Sequence, residues 1–166
     1  QTAMRDRHHL PRYFKPGVGV EIHWRLAPPG SPPMASPEEL WRRARPSGLA
    51  GNASVLCAED ALLHVCAHAT SSHHLELGLR PLCDVAALIA KYGDQLSWDD
   101  ITSRAVAWRC ERGVALVLSL AQRLLGVEIP ERAWQALAAV RPSDSLLVCA
   151  EEHLLDTSGM AAAVGS

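Results

Sequence analysis

Between Val18 and Leu26 the chain sets a carboxylate, an imidazole and a guanidinium two residues apart, as Glu21, His23 and Arg25. Successive side chains on an extended strand alternate between faces, so these three project in one line. Val18, Val20, Ile22, Trp24 and Leu26 then form the opposite, apolar face. A polar line on a rigid element can bind a metal, a phosphate or a sugar hydroxyl. It is also the pattern of a solvated strand face on which Glu21 and Arg25 only keep a sheet soluble.

A second group lies further on. His64 and His68 stand at i and i+4, on one side of a helix at the border of its polar and apolar faces. This spacing can ligate zinc if His73, His74 or Asp84 supplies a third ligand, although Val65 follows His64 where a zincin would have glutamate. The alternatives are histidines hydrogen-bonded to backbone or carboxylate, or a metal-free contact with substrate. Asp84 follows Pro81 by three residues, so the expected first turn of that helix would stabilise its carboxylate. Arg80 could meet an anion there, or pair with Asp84 or Glu76.

The elements that position these groups are mostly helical. Val18 to Leu26 is the one convincing strand, ended by Pro28, Pro29, Gly30, Ser31, Pro32 and Pro33. A lone strand leaves its backbone groups unpaired, so it pairs with poorly marked segments in residues 1 to 17 or belongs to a sheet whose other strands lie elsewhere. Ser36, Pro37, Glu38 and Glu39 announce a short helix to about Arg45. Further helices are expected from Glu59 to about Ser72, Pro81 to Tyr92 with Gly93 as stop, and Ser97 through Trp108. Three more follow, from Glu111 to Leu125, Pro130 to about Val140 and Ser143 to Leu155. Trp41, Trp98, Trp108 and Trp134 are expected in the core.

Composition sets outer bounds. The 166 residues, 18.0 kDa in mass, suit one domain rather than two. An apolar fraction of 48% with 20% charged residues is globular, and no apolar run is long enough to span a bilayer. The net charge of -2 gives no broad cationic surface for nucleic acid. Five widely spaced cysteines read as reduced thiols of a cytoplasmic protein, not a disulfide framework. Phosphate-loop, nucleophile-elbow and CxxC motifs are absent. The opening Gln1-Thr2-Ala3-Met4 carries no signal segment and reads as if cut from something longer.

An ordered string of short motifs goes further. His8-His9-Leu10-Pro11, Val20-Glu21-Ile22-His23-Trp24-Arg25-Leu26, the run from Glu59 to Ala69, the run from Leu79 to Ala86, Trp98-Asp99-Asp100 and Ala107-Trp108 resemble a bacterial family of uncharacterised nucleotidyltransferase-like proteins. The likeness runs from about His8 to about Pro130. It implies the polymerase-beta type of nucleotidyltransferase fold, in which a Gly-Ser turn and an Asp-x-Asp strand bind Mg2+ and a nucleoside triphosphate. A third carboxylate comes from a neighbouring strand, and Glu21 stands as its counterpart. The resemblance further implies that His23, Arg25, His64, His68, Arg80 and Asp84 face the nucleotide or a hydroxyl acceptor.

The expected architecture is therefore α+β and mostly helical. A remnant of a small mixed nucleotidyltransferase sheet, with its strand at about 18–26, precedes a bundle of six or seven helices. Residues 1–57 would close the α/β region, 58–156 would form the helical region and 157–166 a disordered tail. No Asp-x-Asp follows a Gly-Ser turn in this sequence, so the expectation is the C-terminal part of a nucleotidyltransferase, inactive alone. A non-catalytic helical partner-binding module and a His64/His68 metal-dependent hydrolase are the alternatives.

Overall fold

The computed structural model describes residues 9–26, 35–48 and 52–156. The proline-rich turn at 28–33 and the tail at 157–166 lie outside the described residues. Local signals begin and end most helices. Helix α1 (Pro37–Arg43) opens with a reciprocal cap, in which the Ser36 hydroxyl accepts from the Glu39 N–H at 3.2 Å and the Glu39 carboxylate accepts from the Ser36 N–H at 3.0 Å. It stops before Arg45 because the residue preceding a proline is pushed out of the helical region. Arg45–Pro46 instead forms strand β3, paired antiparallel with β4 (Ser54–Val55).

Helix α2 (Ala58–Ala67) passes into a single π-helical turn at His68–Ser72, so the expected helix to Ser72 changes its winding near its end. Helix α3 (Arg80–Tyr92) ends at Gly93, whose φ of 43° side chains rarely adopt. Helix α4 (Trp98–Ala107) is capped by the Ser97 hydroxyl on the Asp100 N–H at 3.3 Å. The Asp100 carboxylate does not complete a box but takes Arg104 at 2.7 Å, one turn on. Helix α5 (Glu111–Leu125) ends at Gly126, α6 (Glu131–Ala136) gives way to a 3₁₀ turn at Ala138–Val140, and α7 (Asp144–Leu155) starts from a Ser143 cap.

Helices α2 and α5 form the centre. Helix α2 packs on α3, α4 and α5, and α5 also meets α3 and α7. Leu62, Leu63 and Cys66 of α2, Leu82 and Val85 of α3, Ile101 of α4, and Val114, Val117 and Leu118 of α5 lose all solvent contact. Each such Leu, Ile or Val contributes about 1.5–3 kcal/mol by leaving water. Trp98, Trp108 and Trp134 join this core as expected, but Trp41 does not, being 70% exposed. The seven-residue helix α1 buries only Leu40, so its other apolar residue is left on the outer side.

One charge sits inside. Asp60 is fully buried and accepts from Arg43 Nε at 2.8 Å and from Arg104 Nη1 at 2.9 Å. It thereby ties α1 and α4 to the start of α2. The neighbouring Glu59 accepts from the Ser97 N–H at 3.3 Å, fastening the first turn of α4 to the same place. Cys57 occupies the N-cap position of α2 without a side-chain cap, and its Sγ lies 3.7 Å from Arg104 Nη1.

The amino-terminal part is a hairpin. Strand β1 (Tyr13–Lys15) pairs antiparallel with β2 (Val18–Val20) across Pro16-Gly17, and an isolated bridge joins His9 to His23. Residues 1 to 17 thus supply the partner of the expected strand. The regular strand ends at Val20 rather than Leu26, and the register slips by one residue before the His9–His23 bridge. Pro11, lying in that slip, has no N–H to donate. Val18, Val20 and Ile22 consequently remain exposed, and only Trp24 and Leu26 are partly covered. The fold is α+β and mostly helical, with two small antiparallel strand pairs and seven α-helices among the described residues. None of those helices is long and apolar enough to cross a membrane.

Helix α5 approaches the π turn closely. A methyl group added at Gly113 would collide with the Thr70 side chain, whose hydroxyl already donates to the Cys66 carbonyl at 2.9 Å. Gly113→Ala is expected to cost about 1–3 kcal/mol, read as a lower midpoint in denaturant titration. Asp60→Ala leaves two guanidinium groups without their shared buried partner and is expected to cost about 3–5 kcal/mol in the same assay. A wild-type midpoint for the Asp60 variant would show that the buried pair does not hold α1 and α4.

Candidate functional site

The hairpin places Glu21 beside two basic side chains. Arg12, inside the register slip, donates from Nε to Glu21 Oε1 at 2.6 Å, and His23 Nε2 lies 3.5 Å from Glu21 Oε2. The Arg12 hydrogen bond, with a smaller contribution from His23, holds the Glu21 carboxyl below the usual carboxylate range, so it is ionised at neutral pH. The His23 and His9 rings lie 5.2 Å apart, and the Leu10 N–H donates to the Ile22 carbonyl at 2.8 Å. These contacts fix the backbone on both sides of Glu21.

From His23 the chain leads into a cleft of about 530 Å³. His23, Trp24, Arg25 and Leu26 line one side; Pro37, Leu40, Trp41 and Ala44 of the α1 region and Ser54, Val55 and Leu56 line the rest. This volume is in the range of small-molecule sites. Glu21 is not in its lining and approaches it only through His23, at 3.5 Å. Arg25 is exposed, and its charge reaches Glu38 in the first turn of α1.

The helical histidines come together as a row. The His64 and His68 rings stack with centroids 5.3 Å apart, and His73 meets His68 edge-on with 3.0 Å between their Nε2 atoms. The π turn, closed by the His73 N–H donating to the His68 carbonyl at 3.2 Å, sets His73 against His68, and two left-handed residues, His74 at φ 45° and Leu75 at φ 66°, then redirect the chain. His153 of α7 contacts the His74 carbonyl at 3.0 Å and braces that bend. Burial first, then the charges of His68 and His23, press the His64 pKa down to about 4.

Arg80 and Asp84 are exposed on α3, and among the described residues neither makes an ion pair with the other or with Glu76. Helix α3 begins at Arg80, so Asp84 sits beyond the first turn that was expected to stabilise it. The backbone N–H groups there are already paired within the helix. His74 and Asp84 do not join the histidine row. Among the described residues no group of three or more His, Cys, Asp or Glu side chains could hold a metal ion.

Three residues of this region carry no sequence signal for their roles. Arg12 lies in a polar stretch without periodicity, Trp41 reads as a core residue, and Asp60 reads as an ordinary first-turn acid. Pairing across the hairpin, the shortness of α1 and the burial of α2 respectively decide them.

The depressed His64 pKa has a consequence for stability. An unfolded histidine binds a proton near pH 6.5, whereas folded His64 resists protonation to about pH 4. The unfolded state therefore gains protons first as pH falls through that window, and stability falls with it. His64→Gln is expected to flatten the loss between pH 7 and 4.5 by on the order of 2 kcal/mol, measured by urea titration at each pH.

No curated protein and no solved structure matches the chain. A family model described as uncharacterised nucleotidyltransferase matches residues 2–126, a span that includes the hairpin, the cleft and the histidine row. On that match over most of its length, the chain belongs to this uncharacterised nucleotidyltransferase family.

Proposed function

We propose that the chain supplies the third-carboxylate strand and the substrate-facing helices of a nucleotidyltransferase. The reaction would transfer a nucleoside monophosphate from a triphosphate to an acceptor hydroxyl, whose oxygen attacks the α-phosphorus as pyrophosphate leaves. The observation that supports this reading best is the course of residues 21–26. An ionised Glu21 just past β2 is held by Arg12 and His23, and the segment that follows it leads into a cleft lined by His23, Trp24 and Arg25. All of it lies within the matched span.

In this reading His23 and Arg25 face the nucleotide, and His64, His68, Arg80 and Asp84 belong to the acceptor side. The low pKa of His64 keeps it neutral at physiological pH, so it acts as a polar contact and not as a cation. Arg12 orients Glu21 and balances its charge. The five free cysteines suit a cytoplasmic protein.

The Mg2+ that the family implies is not accommodated by these residues alone. A two-ion site needs several converging carboxylate oxygens. Here Glu21 is one carboxylate with a guanidinium on it, and the sequence holds no Asp-x-Asp pair. The 166-residue chain by itself is therefore expected to transfer no nucleotide. Metal-dependent activity would require a polypeptide that also carries a Gly-Ser turn and an Asp-x-Asp strand.

In the natural gene product, supplied with Mg2+ and an α-phosphorus-labelled nucleoside triphosphate in cell extract, Glu21→Gln is expected to abolish label transfer. The exposed position of Glu21 predicts an unchanged melting temperature. Retained transfer in the variant, or none in the wild-type gene product, would overturn the assignment.

A further inference from the structure

The cleft beside Arg25 has a chemical character of its own. Two indoles, Trp24 and Trp41, line it together with Leu40, and besides Arg25 and His23 its polar side-chain groups are the Ser54 hydroxyl and the two indole N–H groups. Its cationic groups are Arg25 and, when protonated, His23, on the side that leads to Glu21. Across residues 9–48, basic side chains outnumber acidic ones six to three, against a net negative chain. A planar aromatic group bearing an anionic arm complements this arrangement: the plane lies on indole and the anion meets Arg25.

Trp41 is the less expected member. A tryptophan 70% exposed on a helix with one buried residue adds little to folding, and here it forms a wall of a cleft. Stacking accepts any base face but is stronger for a larger ring system. Discrimination between bases of similar size requires placed donors and acceptors, because an unmatched buried polar group is what rejects the wrong ligand. A lining whose neutral polar groups are one hydroxyl and two indole N–H groups, the latter lying in the plane of the rings that stack, is poorly equipped for that.

We propose that this cleft is the base subsite of the nucleoside triphosphate, with Trp41 as a specificity-determining stacking residue that favours purines over pyrimidines without separating adenine from guanine. The inference rests on the nucleotidyltransferase reading above and adds to it the class of base. The phosphates extend from the base to Arg25 and His23.

The test uses the full 166-residue chain in EDTA, titrated with ATP, GTP, CTP, UTP and inorganic tripolyphosphate. Binding is followed by indole fluorescence and by the indole N–H resonances. ATP and GTP are expected to bind within about threefold of each other and several-fold tighter than CTP and UTP. Trp41→Ala should weaken purine binding about tenfold and erase the purine preference, Trp41→Phe should restore most of it, and tripolyphosphate binding should not change. Equal binding of ATP and tripolyphosphate with no effect of Trp41→Ala would overturn the base subsite and leave the triphosphate reading standing. A strong preference for one purine would overturn the stacking account alone. Failure of every nucleotide to bind would overturn the subsite, while the nucleotidyltransferase reading stands or falls on the Glu21→Gln transfer assay.

Discussion

Asp60 is the constraint on which the arrangement turns. A carboxylate with no solvent contact is unfavourable unless its charge is met in place, and here two guanidinium groups meet it from α1 and α4. The requirement is geometric as well as electrostatic. Arg43 reaches Asp60 only if α1 lies across the start of α2, and Arg104 reaches it only if α4 does so from another side. Helix α1 is too short to be held by its own apolar face, which amounts to Leu40. The buried pair therefore sets the position of an element that hydrophobic contact alone would leave loosely placed.

That position matters because α1 forms a wall of the cleft. Its outer side carries Trp41, and its first turn faces Arg25. The hairpin forms the other wall, and its local geometry follows from Pro11 and the register slip, which bring Arg12 to Glu21. Two different means thus hold the two sides of one site: a desolvated ion pair under α1, and backbone pairing with an exposed ion pair in the hairpin. The first is expensive to disrupt and the second inexpensive. Exposed Phe14, Val18 and Ile22 leave the hairpin faces uncovered, so apolar burial contributes little there.

The histidine row shows how chain winding sets chemistry. An i, i+4 pair on an ordinary helix would put His64 and His68 side by side and send His73 elsewhere. The π turn brings His73 back to His68, and the left-handed pair His74-Leu75 then redirects the chain. Gly113 permits α5 to lie against the Thr70 side chain in that turn. Non-glycine residues at positive φ are costly, and two of them, His74 and Leu75, directly follow this row of titratable rings.

Much of the helical framework was legible in local sequence. Serine caps at 36, 97 and 143, prolines at helix starts and glycines at 93 and 126 act through neighbouring backbone groups, so their effect is written within a few residues. The alternation of Val18 to Leu26 marked an extended segment of which the regular strand keeps only Val18–Val20, and the ordered motifs marked the family. Local residues set most of the α-helices and the apolar stripe of α5, but not the β3–β4 pair or the π turn. Only tertiary structure decided that Asp60 is a buried hub, that Trp41 faces a cleft and not the core, that Arg12 attends Glu21, and that His73 joins the row while Asp84 does not. Those outcomes depend on partners distant along the chain or on how short and how wound an element is. Desolvation and ion pairing are set by surroundings, and a residue's neighbours in sequence do not specify its neighbours in space.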